Sequence, residues 1–370
     1  MPYALGIDVG NAKVKLCLAD ADDLTVRWTS RPLPYDARRA RARHADFEAG
    51  LPAAIAEVTA GLDVRVAVCV MSSGYAYPSY REGAEHTMDV LQKALPRAAV
   101  FALGLDGVPT PAAEVAASAE RVAFTNGVGA AHLAARLPVM GEPACGLVID
   151  TGGDTSQVNP LVDGAVDPAA LAEPRGPLDH RLRHGKFVWI GAQSTPLEAL
   201  AARVDLGGRS YPVIPRGVRF DNVSSLLGLL PPEEAAKLSL FGMHPARATA
   251  LAALAEAVNL DRELATEEEL LALARGFFEL AVERLAVELV RALETLPPRC
   301  RGRAALFGLG VELSRAAALR ARVPAEGIVL GADHMSPPLA IVASVYGACH
   351  AALELHLGRR LPAALGPRAA

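Results

Sequence analysis

Aromatic side chains are scarce in this chain, at 5% of 370 residues, while hydrophobic residues as a class reach 51%. The core must therefore come mainly from Ala, Leu and Val, and with 21% charged residues the chain reads as globular, not disordered. Excess positive charge is missing as well. A net charge of −4 leaves no electrostatic footprint for nucleic acid. The Arg-rich run Asp36-Ala-Arg38-Arg39-Ala-Arg41-Ala-Arg43 reads as a solvated loop or helix face. No C-x-x-C pair occurs among Cys17, Cys69, Cys145, Cys300 and Cys349. Four of these sit in apolar runs, which reads as reduced core residues of a cytoplasmic protein. The N-terminus has no basic stretch ahead of an apolar one, so no signal peptide is expected. The most apolar long window, 337–357, holds His350 and Glu354, which predicts a buried helix and no membrane partner. Nine histidines include no H-E-x-x-H; His180 and His184, with Asp179 beside them, leave a zinc site open. Ser72-Ser73-Gly74 lacks the Gly-x-Ser-x-Gly of a hydrolase elbow. At a strand end it reads as a substrate contact.

What is present is a pattern of strands and helices long enough for two domains. Tyr3–Asp8, Val14–Leu18 and Leu24–Thr29 predict a β-meander that turns at glycine. Phe47, Leu51, Ile55 and Val58 then share one helical stripe. Val64–Val70 is a continuous apolar run, as expected of a strand buried on both faces. A helix over 83–95 and a strand over 99–105 complete a β-β-β-α-β-α-β unit. The plan recurs from Cys145–Asp150, with strands at 155–160, 186–190 and Ala304–Phe307 and helices at 267–296 and 338–357. The apolar residues of Leu270–Leu296 are core or a dimer face, so a homodimer stays open. Residues 167–260 are richer in Pro, Gly and Arg and read as an insertion that shapes a substrate site.

The chemistry concentrates where the plan repeats. Gly6-Ile-Asp8-Val-Gly10-Asn11-Ala-Lys13-Val-Lys15 places an acid at a strand end, a glycine turn, then lysine on the returning strand. Asp150-Thr-Gly152-Gly153-Asp154-Thr155 repeats the acid and the turn. Glycines let backbone N–H groups approach phosphate oxygens, and carboxylates at such tips can hold Mg²⁺. Two such hairpins across a cleft can grip one polyphosphate. Phe307-Gly308-Leu-Gly310-Val-Glu312 adds a strand–glycine–helix turn of the kind that approaches a nucleotide.

These three motifs resemble the phosphate-1, phosphate-2 and adenosine motifs of the actin-like ATPase, sugar kinase and Hsp70 superfamily. The chain is most similar to the hydantoinase A/oxoprolinase branch, and within it to proteins of tetrahydromethanopterin-linked one-carbon transfer, which include a methanofuran-biosynthesis synthase. Met71-Ser72-Ser73-Gly74 with Tyr80-Arg81-Glu82-Gly83, the helix start at Ala123-Phe-Thr-Asn126, and Asp179-His-Arg181 through Gly191-Ala-Gln-Ser-Thr195-Pro196 carry that likeness. It implies an α/β, two-lobed actin-like (ribonuclease H-like) fold of duplicated mixed sheets, flanked by helices, with a cleft between the lobes. The expected lobes are 1–122 and 123–335, the latter with the 167–260 insertion, and 336–370 forms a helix packing back on both.

The same likeness implies Asp8 and Asp150 on Mg²⁺. Gly10, Asn11, Lys15, Gly152, Gly153, Asp154, Thr155, Gly308 and Gly310 would hold phosphate or nucleotide. Ser72, Ser73, Asn126 and Thr195 would meet a phosphorylated small-molecule substrate. Arg81 and Arg181 would serve as cations, and Glu82 or Asp179 as a base. The implied reaction displaces diphosphate from an aminomethylfuran to form an aryl ether with a tyramine derivative. The alternatives are an ATP-dependent kinase or lactam-opening hydrolase, and a nucleotide-binding assembly or sensor protein. Two residues depart from the family pattern. Asp154 replaces a hydroxyl residue and Gln157 replaces a closing acid. An extra carboxylate repels a polyphosphate unless a metal intervenes, so the departures point away from ordinary ATP turnover.

Overall fold

The computed structural model describes residues 1–10, 13–32, 44–72, 77–238 and 244–365. Asn11, Ser73 and the Arg-rich run of 36–43 lie outside the described residues.

The first half supplies β1 (Pro2–Val9), β2 (Lys13–Asp20), β3 (Val26–Pro32), β4 (Asp63–Met71), β5 (Ala99–Leu103) and β6 (Pro109–Pro111), joined in the order β3-β2-β1-β4-β5-β6. The second supplies β7 (Gly146–Thr151), β8 (Ser156–Val162), β9 (Ala165–Val166) and β10 (Phe187–Val188). A separate hairpin follows, β11 (Arg203–Leu206) with β12 (Arg209–Pro212), and then β13 (Ala304–Phe307) and β14 (Ile328–Leu330). The order of the second sheet is β10-β8-β7-β13-β14. In each half the opening hairpin is antiparallel and carries a further antiparallel strand on its outer edge, β3 or β10, while β4 and β5, or β13 and β14, extend the sheet in parallel from its first strand. One plan is used twice.

Period-two alternation gives each sheet two faces. Leu5, Ile7 and Val9 of β1 pack outward with Phe47, Leu51 and Ile55 of helix His44–Thr59 and with Met88 and Leu91 of helix Tyr80–Ala94. Leu147 and Ile149 of β7 likewise face Leu273, Phe277 and Leu289 of helix Glu267–Glu294, so that apolar stripe is core. The inward faces share a single core. Val66, Val68 and Val70 of the first sheet and Val148, Ala305 and Phe307 of the second enclose the C-terminal helix Ala343–Leu357 and the connector helix Asn126–Ala134.

Glycines let these two helices cross at backbone contact. A Cβ on Gly347 would lie 1.9 Å from the Gly129 carbonyl oxygen, and one on Gly129 would lie 2.0 Å from that of Ser344. The molecule is a two-lobed actin-like fold, with a cleft where the inward faces meet.

Three expectations change. The single helix over 338–357 is two, Pro337–Ile341 and Ala343–Leu357, broken at Val342. The break lets the Ala340 carbonyl accept from the Gly308 N–H while Ser344 turns toward Asp8. Cys145 and Cys300 are joined in a disulfide, with Cα atoms 5.0 Å apart and 155 residues between them in sequence, so they are not reduced core residues. Cys17, Cys69 and Cys349 are free and buried. The strand expected over 186–190 is only the two residues of β10, because Gly185 packs against Glu288 of the long helix and Gly191 against the 153–154 turn. Among the described residues no helix is long and apolar enough to cross a membrane.

Candidate phosphate-binding cleft

The two hairpins that open the lobes match residue for residue. Asp8 faces Lys15 across β1–β2, and Asp150 faces Gln157 across β7–β8. Each turn is closed by the same bond, Gly10 N–H to the Lys13 carbonyl at 3.0 Å and Gly152 N–H to the Thr155 carbonyl at 2.9 Å. Asp8 and Lys15 stand on the inward face of the first sheet, and Asp150 and Gln157 on that of the second. All four line one cavity of about 130 Å³. Lys13, Ser72, Asn126 and Ser344 line its first-lobe side; Gly152, Gly153, Asp154, Thr155 and Gln193 line the other.

The two acids live in different surroundings. Asp8 is fully buried and fully engaged: its Oδ2 accepts from Lys15 Nζ and from Ser344 Oγ, each at 2.7 Å, and its Oδ1 accepts from Asn126 Nδ2. Ser72 Oγ donates to Asn126 Oδ1 at 2.5 Å, which sets the amide so that its nitrogen meets Asp8. Burial alone would lower the Lys15 ammonium, but Asp8, with Asp150 and Asp154 beyond it, holds the group above its ordinary value. No described residue donates a hydrogen bond to Asp150. Burial, and less strongly the Asp8 charge, push its carboxyl up to about 7, against the pull of Lys15.

Those surroundings decide where a divalent cation fits. The oxygens of Asp8 are committed to Lys15, Ser344 and Asn126. Asp150 is a carboxylate short of positive charge, on a hairpin whose next acid is Asp154. Oxygen ligands of this kind suit a hydrated Mg²⁺. Asp150 would hold it with Asp154 nearby, and Asp8 would act through Lys15 and solvent, not as a direct ligand.

Other expected residues are spent inside the protein. Gly308 and Gly310 pack on the end of β7: a Cβ on Gly308 would lie 2.4 Å from the Thr151 carbonyl oxygen. Their N–H groups donate to Ala340 O and Thr151 O, so Leu309 is the part of that turn that reaches the cavity. The Thr195 hydroxyl accepts from Gly191 N at 2.9 Å and donates to its carbonyl at 3.0 Å, bracing the turn behind Gly153 instead of meeting substrate. Arg81 and Glu82 are exposed on the first turn of helix Tyr80–Ala94, and Glu82 caps it with Ser79. Asp179 pairs with Arg183 at 2.7 Å. Neither these three residues nor Arg181 lines the cavity. Arg181 lies fully buried beneath it, with Nη1 donating to Asn159 Oδ1 at 2.8 Å.

No zinc site forms at His180, whose Nε2 meets Lys186 Nζ at 2.8 Å, with Lys186 also paired to Asp167. Among the described residues, His132, His350 and Glu354 group their ligand atoms most like a metal site. Arg136 engages both Glu354 oxygens and His132 meets His350 at 3.2 Å, so the group is a satisfied hydrogen-bond knot.

Sequence reasoning missed Lys13, Gln193, Leu238, Leu309, Ile341 and Ser344 as cleft residues. Lys13 alone carried a signal, as the second lysine of the first hairpin. Leu238 arrives on the short helix Pro232–Leu238, which lies over the cleft: Gln193 Nε2 donates to its Ala235 carbonyl at 3.0 Å, and Lys13 Nζ donates to its Lys237 carbonyl. Ala235 packs with Ala192, Leu230 and Leu309, filling the space beside the Gly308–Gly310 turn.

No family model and no curated protein matches the chain. Solved structures do. Ethanolamine utilization protein EutJ from Carboxydothermus hydrogenoformans is similar at 13% identity over 94% of this chain and 89% of that one, with a TM-score of 0.45. A ROK family glucokinase from Streptomyces griseus, in complex with glucose and AMPPNP, is similar at 14% identity over 94% and 98%, TM-score 0.45. The activator of the 2-hydroxyisocaproyl-CoA dehydratase from Clostridium difficile, with bound ADPNP, is similar at 12% identity over 97% and 99%, TM-score 0.41. The fold assignment rests on the duplicated strand order and hairpin register.

Proposed function

We propose that the chain is an enzyme that binds a phosphorylated small molecule, together with Mg²⁺, between the β1–β2 and β7–β8 hairpins. One observation carries this reading: two hairpins of identical register present Asp8 with Lys15 and Asp150 with Gln157 to a single cavity. Lys15 and Lys13 supply positive charge on one side, and the 152–155 turn supplies a glycine-lined wall on the other. The cation would screen the phosphate from Asp150 and Asp154, supplying charge stabilisation to a departing phosphate group.

The cavity favours a compact ligand. Small-molecule pockets run to roughly 300–1,000 Å³, and here the helix Pro232–Leu238 and Leu309 fill the space beside the Gly308–Gly310 turn, the turn expected to approach a nucleotide. A diphosphate ester suits it better than ATP in this arrangement. This agrees with the finer reading, drawn from the resemblance to the hydantoinase A/oxoprolinase branch, of a synthase that displaces diphosphate. There the carbon–oxygen bond to diphosphate breaks, the electron pair leaves with the diphosphate, and an acceptor hydroxyl oxygen forms the new ether as it loses its proton. An ATP-dependent kinase on the same fold is the second reading, and it requires the Pro232–Leu238 helix to swing away.

Thermal shift with pyrophosphate, ADP and ATP, each with and without Mg²⁺, separates the two. Stabilisation of about 2.7 kcal/mol at a hundredfold excess over Kd is easily measured. Pyrophosphate binding at least as tight as ATP supports the diphosphate reading. ATP binding alone selects the kinase. No response to any of the three defeats the proposal.

A further inference from the structure

We infer that Gln157 is the anion donor of the second lobe, and that the buried Arg181 is the residue that positions it. The inference rests on the phosphate-binding reading above and adds to it a determinant for phosphate oxygen.

Gln157 lines the cavity although it is only 4% exposed. Its Oε1 accepts from Gly127 N at 3.1 Å and from Arg181 Nη2 at 3.4 Å. A backbone N–H and a guanidinium can only donate. The side-chain oxygen therefore faces them, and the amide nitrogen turns the other way. No described residue accepts a hydrogen bond from that nitrogen, which leaves its N–H groups to the cleft. The residue opposite Asp150 is thus a neutral donor, where the first hairpin has the ammonium of Lys15.

Arg181 is built for this task. It is 0% exposed and, among the described residues, makes no direct ion pair, which is an expensive place for a guanidinium. Burial lowers its pKa, and only the more distant Asp167 charge opposes that. Its Nη1 donates to Asn159, and its Nη2 is shared at 3.4 Å between Gln157 Oε1 and the Lys186 carbonyl, so the fork ties two alternate inward-facing residues of β8 to the strand beside them. Asn159 Nδ2 in turn donates to the Gly127 carbonyl at 3.0 Å. The first turn of the connector helix is clamped between the two amides, and Gly127 has no room for more: a Cβ there would lie 2.5 Å from that of Gln157. The same turn carries Asn126, which holds Asp8. Arg181 thus acts through Gln157 and does not itself reach the cavity.

Substitutions at 157 separate donor from scaffold. Gln157→Glu keeps an oxygen for Arg181 and makes that bond charge-assisted, but presents the ligand with an acceptor. It also stands directly opposite Asp150, whose like charge opposes any gain in stability, so binding is the readout: pyrophosphate with Mg²⁺ is expected to bind on the order of ten- to hundredfold more weakly. Gln157→Met removes the donor without adding charge and is expected to weaken binding about tenfold. Arg181→Met should weaken pyrophosphate binding in the wild type and add nothing in the Gln157→Met background, because both changes remove one interaction.

Undiminished pyrophosphate affinity in Gln157→Glu and Gln157→Met overturns the donor role. A full effect of Arg181→Met in the Gln157→Met background overturns the positioning role; where Arg181→Met fails to fold, Arg181→Lys in the same two backgrounds gives the same readout. If wild-type protein binds no pyrophosphate, the cleft reading itself falls and takes this inference with it, an outcome distinct from wild-type binding that the variants leave unchanged.

Discussion

The hairpins β1–β2 and β7–β8 share register, turn bond and position, yet differ in charge. In the first, Asp8 meets Lys15, Ser344 and Asn126 and is neutralised within the protein. In the second, Gln157 stands where the lysine would be, and Asp150 is left without a donor among the described residues. A duplicated element has become one closed site and one open site. The closed one is neutralised within the protein, and the open one is where the proposed cation and anionic ligand would enter.

The largest effect is expected where the comparison depends on both lobes being held together. Gly347→Ala places a Cβ within 1.9 Å of the Gly129 carbonyl oxygen, which the crossing helices cannot accommodate. A loss of more than about 3 kcal/mol in urea unfolding is expected. A loss under 1 kcal/mol would show that the crossing is loose and that the hairpins are not fixed against each other.

Next comes the closed site. Asp8→Asn leaves Lys15 without its counter-charge and disturbs Asn126, at a cost of about 2 kcal/mol after allowing for the partial exposure of Lys15. Chemical denaturation measures it, and an unchanged midpoint would mean that the two hairpins are not electrostatically different.

The knot on the helices shared by both lobes adds a pH dependence. Burial and the neighbouring His132 push the His350 imidazole down to about 3. Against the burial that would raise it, bonds from His132, Arg136 and the Leu361 N–H hold the Glu354 carboxyl below its ordinary range. Both groups bind fewer protons folded than unfolded, so their stability contribution is complete above pH ~6.5 and is lost as pH falls toward 3. His350 alone gives a slope of about 1.4 kcal/mol per pH unit in that window. His350→Gln should flatten the curve measured from pH 7 to 5, and an equally steep curve in that variant would remove His350 as the cause.

The smallest effect is the sharpest contrast. Asp150→Asn removes a buried carboxylate that accepts no hydrogen bond from a described residue and has only the more distant Lys15 as counter-charge, so stability should hold or rise by under about 1 kcal/mol, unlike Asp8→Asn. Mg²⁺-dependent pyrophosphate binding should disappear in the same variant. Marked destabilisation by Asp150→Asn would erase the distinction between the open and closed sites.

Much of this was legible along the chain. Acid-then-glycine turns at Asp8 and Asp150 marked the hairpins, the apolar run at Val64–Val70 marked a central strand, and Gly152, Gly153, Asp154 and Thr155 do line the cleft. Glu82, Asp179, Thr195 and Arg181 were not assignable in this way. Each is a polar residue in a suggestive motif, and each is engaged by a neighbour: Ser79, Arg183, Gly191 and Asn159. Cys145 and Cys300 gave no spacing signal because 155 residues separate them, and the pairing of the adjacent strands β7 and β13 is what brings them together.

The amino-acid sequence by itself determined the repeated strand–turn–strand units and the acids at their ends, because alternation and glycine turns are local properties that any short stretch carries. Only the tertiary structure decided which polar groups face the cleft and which face each other. Whether a carboxylate is neutralised, as at Asp8, or left wanting charge, as at Asp150, depends on donors brought from 118 and 336 residues away. No local pattern contains them.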